Sequence, residues 1–239
     1  MIEYPVSFVA LPIGNRDDIT RRALLVLESA DCICCEDTRN TGALMAYYGI
    51  RKPLLSLHEH NERQRAPEIA ERARAGERFA VVSDAGMPGV SDPGYRLIQE
   101  LKAREVAFTV LPGPSAVVTA LVGSGLPSDA FFFGGFLPVK SGKRGQVLAA
   151  ALQAQCTSIF YESPFRIAKT LRELAALAPE AHLCVARELT KLHETYHRGS
   201  AAALAAEFDA RPPKGEMVLL IGGRNQVRSS KDEVRSGEA

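Results

Sequence analysis

A chain of 239 residues, 46% hydrophobic and 24% charged, has ordinary globular composition and enough apolar surface to build one large or two modest cored domains. Twenty-nine Lys and Arg against 28 Asp and Glu leave a formal charge of +1, so no molecule-wide field recruits nucleic acid; RNA contacts have to use local patches, and DNA is not an expected partner. No apolar run approaches the ~18 residues a membrane span needs, and the start of the chain shows no basic or apolar export region, so a cytoplasmic protein without a membrane partner is expected.

In chain order, Val6 to Leu11 reads as a first buried strand, closed by Pro12-Ile13-Gly14-Asn15. A helix follows from Asp17 to Glu28, with acidic residues in its first turn suited to cap it. The second strand, Asp31 to Cys35, holds three of the five cysteines, which are expected to be reduced thiols packed as small hydrophobes. It runs into Glu36-Asp37-Thr38-Arg39-Asn40-Thr41 and a helix that Gly49 ends after Tyr48. A short strand, Leu54 to Leu57, precedes a charged helix from Glu62 to Ala75.

Phe79 to Val82 is the next buried strand, and it stops at Ser83-Asp84-Ala85-Gly86-Met87-Pro88-Gly89-Val90-Ser91-Asp92-Pro93-Gly94. Glycines, prolines and small polar residues at a strand's carboxyl end let a ligand lie against the backbone, as in other alternating α/β folds. A plain turn would need only Asp92 as the N-cap of a helix starting near Pro93. The surplus of loop residues favours a ligand site. After that helix come a strand from Val106 to Leu111, the rigid turn Pro112-Gly113-Pro114-Ser115, and a helix from Ala116 to Val122. The β-α alternation predicts a parallel sheet covered on both faces.

Gly123 to Asp129 reads as a linker, so the expected division is an N-terminal α/β domain over 1–122, a second α/β domain over 123–223, and a disordered tail over 224–239. The second half shows an aromatic strand, Phe131 to Phe136, a basic loop with Lys140, Lys143 and Arg144, and alternating strands and helices that end in an apolar strand from Met217 to Ile221.

His193-Glu194-Thr195-Tyr196-His197 matches the H-E-x-x-H zinc pattern, which needs a helix to bring both imidazoles together. Thr195 and Tyr196 favour a strand, where histidines four apart stand ~13 Å from each other; no metal site is expected. Neither a G-x-G-x-x-G fingerprint after the first strand nor a Walker A loop is present.

Several motifs fall in order along the chain: Leu11-Pro12-Ile13-Gly14-Asn15, Glu36-Asp37-Thr38-Arg39, Ser83-Asp84-Ala85-Gly86-Met87-Pro88 with Ser91-Asp92-Pro93-Gly94, Leu111-Pro112-Gly113-Pro114-Ser115, Gly134-Gly135-Phe136-Leu137-Pro138, Phe160-Tyr161-Glu162-Ser163, Ala186-Arg187-Glu188-Leu189-Thr190-Lys191 and Lys214-Gly215-Glu216. Over about residues 6 to 223 the sequence thereby resembles the RNA-acting branch of the tetrapyrrole methylase superfamily. Met87 and Gly89-Val90 stand where that pattern would have other residues. The resemblance implies a two-domain tetrapyrrole-methylase-like fold, with a parallel-sheet α/β domain followed by a mixed-sheet α/β domain. It also implies a homodimer that binds S-adenosylmethionine between its domains. The implied reaction is 2′-O-methylation of a cytidine in 16S rRNA near the decoding centre, on the assembled small ribosomal subunit.

Carried over by resemblance, the cofactor contacts are Pro12, Ser83, Asp84, Ala85, Gly86, Val90, Ser115, Ala116, Phe160, Tyr161, Leu189, Glu216 and Met217. Methyl transfer to a hydroxyl needs positioning and a proton acceptor. Glu36, Asp37, Glu162 and Glu188 are carboxylate candidates, with Arg39, Arg187 and Lys191 to hold phosphate or orient a carboxylate. For Glu36-Asp37-x-Arg39 a helix cap with a surface ion pair is an equal reading. Two rival functions remain: a small-molecule tetrapyrrole methylase of the same superfamily, and a non-catalytic ribosome-binding protein.

Overall fold

The computed structural model describes residues 4–224, and the chain divides into two units, one up to Ser115 and one from Ala116. In the first unit five short strands, β1 (Val6–Val9), β2 (Cys32–Cys35), β3 (Leu54–Ser56), β4 (Phe79–Val81) and β5 (Phe108–Leu111), form an all-parallel sheet in the order β3-β2-β4-β1-β5. Between them run α1 (Arg21–Ser29), α2 (Thr38–Tyr47), α3 (Glu62–Arg74) and α4 (Tyr95–Ala103).

Strands buried on both faces explain the unbroken apolar runs. Phe8, Cys34 and Val81 face a core with Ile69 and Ala70 of α3 and Leu97 and Leu101 of α4. Val9, Ile33 and Ala80 face the opposite core with Ala23 and Leu27 of α1 and Met45 of α2. Right-handed crossovers require this split, because the chain moves outward through β2 to β3 and then returns through β4 to β5. Strand β4 therefore lies between two strands whose helices cover the other face, and the loop after β4 sits at the topological switch point. The cysteines of β2 are all buried and free.

Two helix starts differ from expectation. Asp17 and Asp18 lie in a 3-10 turn, and Thr20 caps α1 by accepting from the Ala23 N–H at 3.0 Å. Helix α4 begins at Tyr95 with Gly94 as its N-cap, so Asp92 does not cap it.

The second unit holds β6 (Phe131–Phe136), β7 (Thr157–Glu162), β8 (His182–Arg187), β9 (Thr195–Ser200) and β10 (Met217–Ile221) in one sheet, in the order β6-β7-β10-β8-β9. β6 and β7 are parallel and the remaining pairs antiparallel, giving the expected mixed sheet. On one face α6 (Ser141–Gln153), α7 (Ile167–Leu177) and α8 (Ala201–Ala210) supply Leu148, Leu171, Leu174, Leu204 and Phe208 to a core with Phe160, Val185 and Leu219.

Helix α5 (Ala116–Ser124) packs on β8, β9 and β10 and belongs to this second unit, so the division falls one helix earlier than the expected linker. Gly123 is part of that helix, and a Cβ there would lie 2.3 Å from the Tyr196 ring. Arg198 closes the helix's far end, donating to the carbonyls of Gly123 and Ser124. The expected basic loop is also corrected, since Lys140 is the N-cap of α6 and Arg144 lies within that helix. Apart from Arg224, which is described, the expected disordered tail lies outside the described residues.

Candidate functional site

The loops after β1 and β4 are stitched together by a two-way bridge, Leu11 N–H to the Gly86 carbonyl and Gly86 N–H to the Leu11 carbonyl, both 2.9 Å. Gly86 holds φ +71°, and a Cβ on it would meet the Ile13 side chain at 3.4 Å and the Pro114 carbonyl at 3.9 Å. Three strand-end loops, those carrying Pro12, Ser83 to Val90 and Pro114-Ser115, thus converge on one glycine. Ser83 is buried, and its hydroxyl donates to the Ala85 carbonyl at 3.0 Å.

The loop after β2 joins from the other side of β4. Asp84 accepts from the Asp37 N–H at 3.2 Å and from the Asn40 side-chain amide at 3.0 Å. Asp37 caps α2 through the Arg39 N–H at 2.8 Å and pairs with the Arg39 guanidinium at 2.7 Å. That guanidinium is the main reason the Asp37 carboxyl sits at about 2. A carboxylate held so firmly ionised and engaged is a poor proton acceptor at neutral pH.

Glu36 is different: burial, then the Asp84 charge, raises its pKa. Asp92, released from capping, is pushed up to about 6 by burial and by the charges of Glu36 and Asp84, with the Ser83 hydroxyl opposing. Glu36, Asp84 and Asp92 thus make a carboxylate group at the switch point, chemistry suited to a cationic ligand such as a sulfonium with an α-amino group. Glycine backbone at close approach and this acidic lining fit S-adenosylmethionine.

In the second unit the family-derived residues meet at one end of the mixed sheet. Register places Met217 of β10 opposite Glu162 of β7 and Arg187 of β8, and Val218 opposite Tyr161. The Arg187-to-Lys191 segment folds onto Gly215-Glu216. Glu188 accepts from the Glu216 N–H and from the Lys191 ammonium, each at 2.9 Å, and donates its own N–H to the Glu216 carbonyl. Its carboxylate lies over Gly215, where a Cβ would come within 2.3 Å. Hydrogen bonds from Glu216 and Lys191 lower the Glu188 pKa, so Glu188 and Lys191 act as a brace for Leu189 and Glu216. Arg187 reaches the His193 carbonyl at 3.5 Å.

Four assignments change in character. Glu162 has a fully buried side chain bonded to Thr170, to the Ser163 N–H and to Arg166, so it is structural. Phe160 is a core ring packed beneath Gly134, which leaves its main chain and the half-buried Tyr161 for contact. Met217 is likewise core. Arg144 is 2% exposed, pairs with Glu173 at 2.6 Å and donates to the Pro138 and Val139 carbonyls; it cannot meet phosphate, although Lys140 and Lys143 remain exposed.

His197 lies in β9, bonded to Glu207 and Thr195, and no cluster that could hold a metal occurs among the described residues. Asn40, which holds the Asp84 carboxylate, is the residue of this loop cluster that the sequence did not reveal.

Fold and loops together define an α/β methylase: the sequence profile of the tetrapyrrole (corrin/porphyrin) methylases matches residues 5–205. Similar solved structures include diphthine synthase (TM-score 0.71, 13% identity, 91% of this chain and 89% of that one). Another is uroporphyrin-III-C-methyltransferase from Thermus thermophilus (TM-score 0.62, 21% identity, 95% and 97%). Among curated relatives, the ribosomal RNA small subunit methyltransferase I of Vibrio cholerae is 49% identical over 92% of this chain and 77% of its own. That of Pasteurella multocida is 44% identical over 95% and 81%. The chain belongs to the ribosomal RNA small subunit methyltransferase I family within the tetrapyrrole methylases.

Proposed function

We propose that this protein methylates the ribose 2′-hydroxyl of a cytidine in 16S rRNA near the decoding centre, using S-adenosylmethionine, with the small ribosomal subunit as substrate and a cytoplasmic homodimer as the working form. One observation carries the reading: relatives 44% and 49% identical over more than nine-tenths of the chain are named for small-subunit rRNA methylation.

On this reading Pro12, Ser83 to Gly86, Val90, Ser115, Ala116, Tyr161, Leu189 and Glu216, with the main chains of Phe160 and Met217, are the cofactor contacts. The cofactor supplies an electrophilic methyl on a sulfonium that leaves as a neutral thioether. No acid is needed from the protein. Glu36 takes the hydroxyl proton, because its half-buried carboxylate makes no hydrogen bond with the described residues and its raised pKa brings it closer to the working pH. Arg39, whose side chain is 88% exposed, is free to reach an RNA phosphate as well as Asp37. A homodimer is supported by the edge strand β6, where Phe131, Phe132 and Phe136 remain 44%, 54% and 63% exposed.

Mass mapping of 16S rRNA fragments from small subunits incubated with and without the protein tests the reading. A methyl on the ribose of one cytidine is expected; a base methyl, or none, overturns it. Glu36→Gln should lower kcat by roughly 10²-fold or more at saturating cofactor. Unchanged kcat would remove Glu36 from the reaction.

A further inference from the structure

Helix α4 starts without a cap of its own: Gly94 has no side chain to offer, and Ser91 and Asp92 do not supply one. Glu62 does so from the first residue of α3. Its carboxylate, on a residue only 5% exposed, accepts through Oε1 from the N–H groups of Gly94 at 2.8 Å, Arg96 at 3.0 Å and Leu97 at 3.2 Å. No ion pair to Glu62 occurs among the described residues, so the unpaired amides and positive end of α4 are what balance this buried charge.

The anchor acts on a backbone whose turns depend on glycine. Gly86, Gly89, Ser91 and Gly94 all hold positive φ, at +71°, +82°, +63° and +137°. Gly89 donates to the Pro93 carbonyl at 3.0 Å, and a Cβ on Gly94 would lie 3.2 Å from the Gly89 nitrogen. Fixing Gly94 therefore fixes Gly89, and between them Asp92. Glu62 is itself fixed, since its N–H donates to the His58 carbonyl at 2.9 Å and Asn61 ties that turn to Ser56.

We infer that Glu62 is a positioning residue for methyl transfer: from α3 it sets the Gly89–Gly94 arm of the loop after β4, and with it the carboxylate group that receives the cofactor. This rests on the cofactor reading above. Its role is distinct from that of the loop residues, because the Glu62 carboxylate is engaged by main-chain amides. It also explains why Asp92 is free to stand beside Glu36 and Asp84.

The test compares the wild type, Glu62→Gln and Glu62→Ala by calorimetry with S-adenosylmethionine, well below each variant's Tm, and by steady-state kinetics on small subunits. Wild type that binds no cofactor would overturn the functional reading before the variants are compared. Glutamine keeps a carbonyl oxygen for the amides, so its cofactor Kd should stay within about threefold, whereas alanine should raise it about tenfold or more. The KM for cofactor should rise in the alanine variant and the KM for the subunit should not, a split that general loss of stability does not produce. Hydrogen exchange at Gly94, Arg96 and Leu97 should accelerate in alanine alone. If Glu62→Ala does not fold, Glu62→Asp decides, because its shorter side chain withdraws the acceptor and should weaken cofactor binding severalfold. Wild-type cofactor affinity in the folded alanine or aspartate variant, or equal loss in glutamine and alanine, overturns the inference.

Discussion

Asp92 and Arg144 show how far a residue's environment can depart from its residue type. Asp92 is lifted from an ordinary 3.8 to about 6, chiefly by burial. Between those values the folded state holds a proton that the unfolded state has lost. The group's stabilising contribution is therefore complete below pH 3.8 and disappears as pH rises through about 6. Asp92→Asn should then be more stable than the wild type at pH 8 by about 1 kcal/mol, a figure discounted for partial solvent screening, and no more stable at pH 4. Denaturant midpoints at the two pH values check this; an equal difference at both would refute the burial account. Arg144 is the converse case, a cation in a basic run that is held inside by Glu173. Arg144→Ala should cost about 3 kcal/mol, since it leaves a carboxylate and two carbonyls without their donor, and should leave the salt dependence of small-subunit binding unchanged. Replacing Lys140 and Lys143 instead should flatten that dependence by roughly one unit of log-log slope per lost phosphate contact. A flattened slope in the Arg144 variant would show that it reaches RNA.

At the scale of elements, the loop after β4 is built by its neighbours more than by its own residues. It is bonded to the β1 loop through Leu11, to the β2 loop through Asp37 and Asn40, and to α3 through Glu62. A loop held from three sides can sustain a non-glycine residue, Ser91, at φ +63°. Gly86→Val places a β-branched residue at φ +71° with its Cβ against Ile13. It should cost about 1–3 kcal/mol in stability and abolish saturable cofactor binding in calorimetry. Wild-type affinity in a folded Gly86→Val variant would place the cofactor away from this glycine. The β-α alternation, the strand-end position of the loop and the helix stop at Gly49 were all legible from apolar runs and turn residues. The origin of the α4 cap was not, because a carboxylate at the start of α3 reads the same whether it serves its own helix or the next.

For the molecule as a whole, an edge strand of six residues with three exposed phenylalanines is a surface that an isolated monomer would need to protect. Phe132→Lys with Phe136→Lys should shift sedimentation from dimer toward monomer while the far-ultraviolet spectrum stays native. A variant that sediments with the wild-type mass would place the dimer contact elsewhere. Among the described residues no helix is long and apolar enough to cross a membrane.

The sequence by itself determined the two α/β halves, the parallel character of the first sheet, the loop at the carboxyl end of β4 and the strand that carries His197. Each of these follows from local periodicity and turn chemistry, which neighbours in the chain decide among themselves. Only the tertiary structure decided that Asp84 meets Asn40, that Glu62 reaches Gly94 across 32 positions, that Glu173 draws Arg144 inward and that α5 joins the second sheet. Those outcomes depend on where crossover helices land and which faces they bury. A side chain's type records its chemistry but not its partner, and the partner is what turns a carboxylate into a cap, a brace or a proton acceptor.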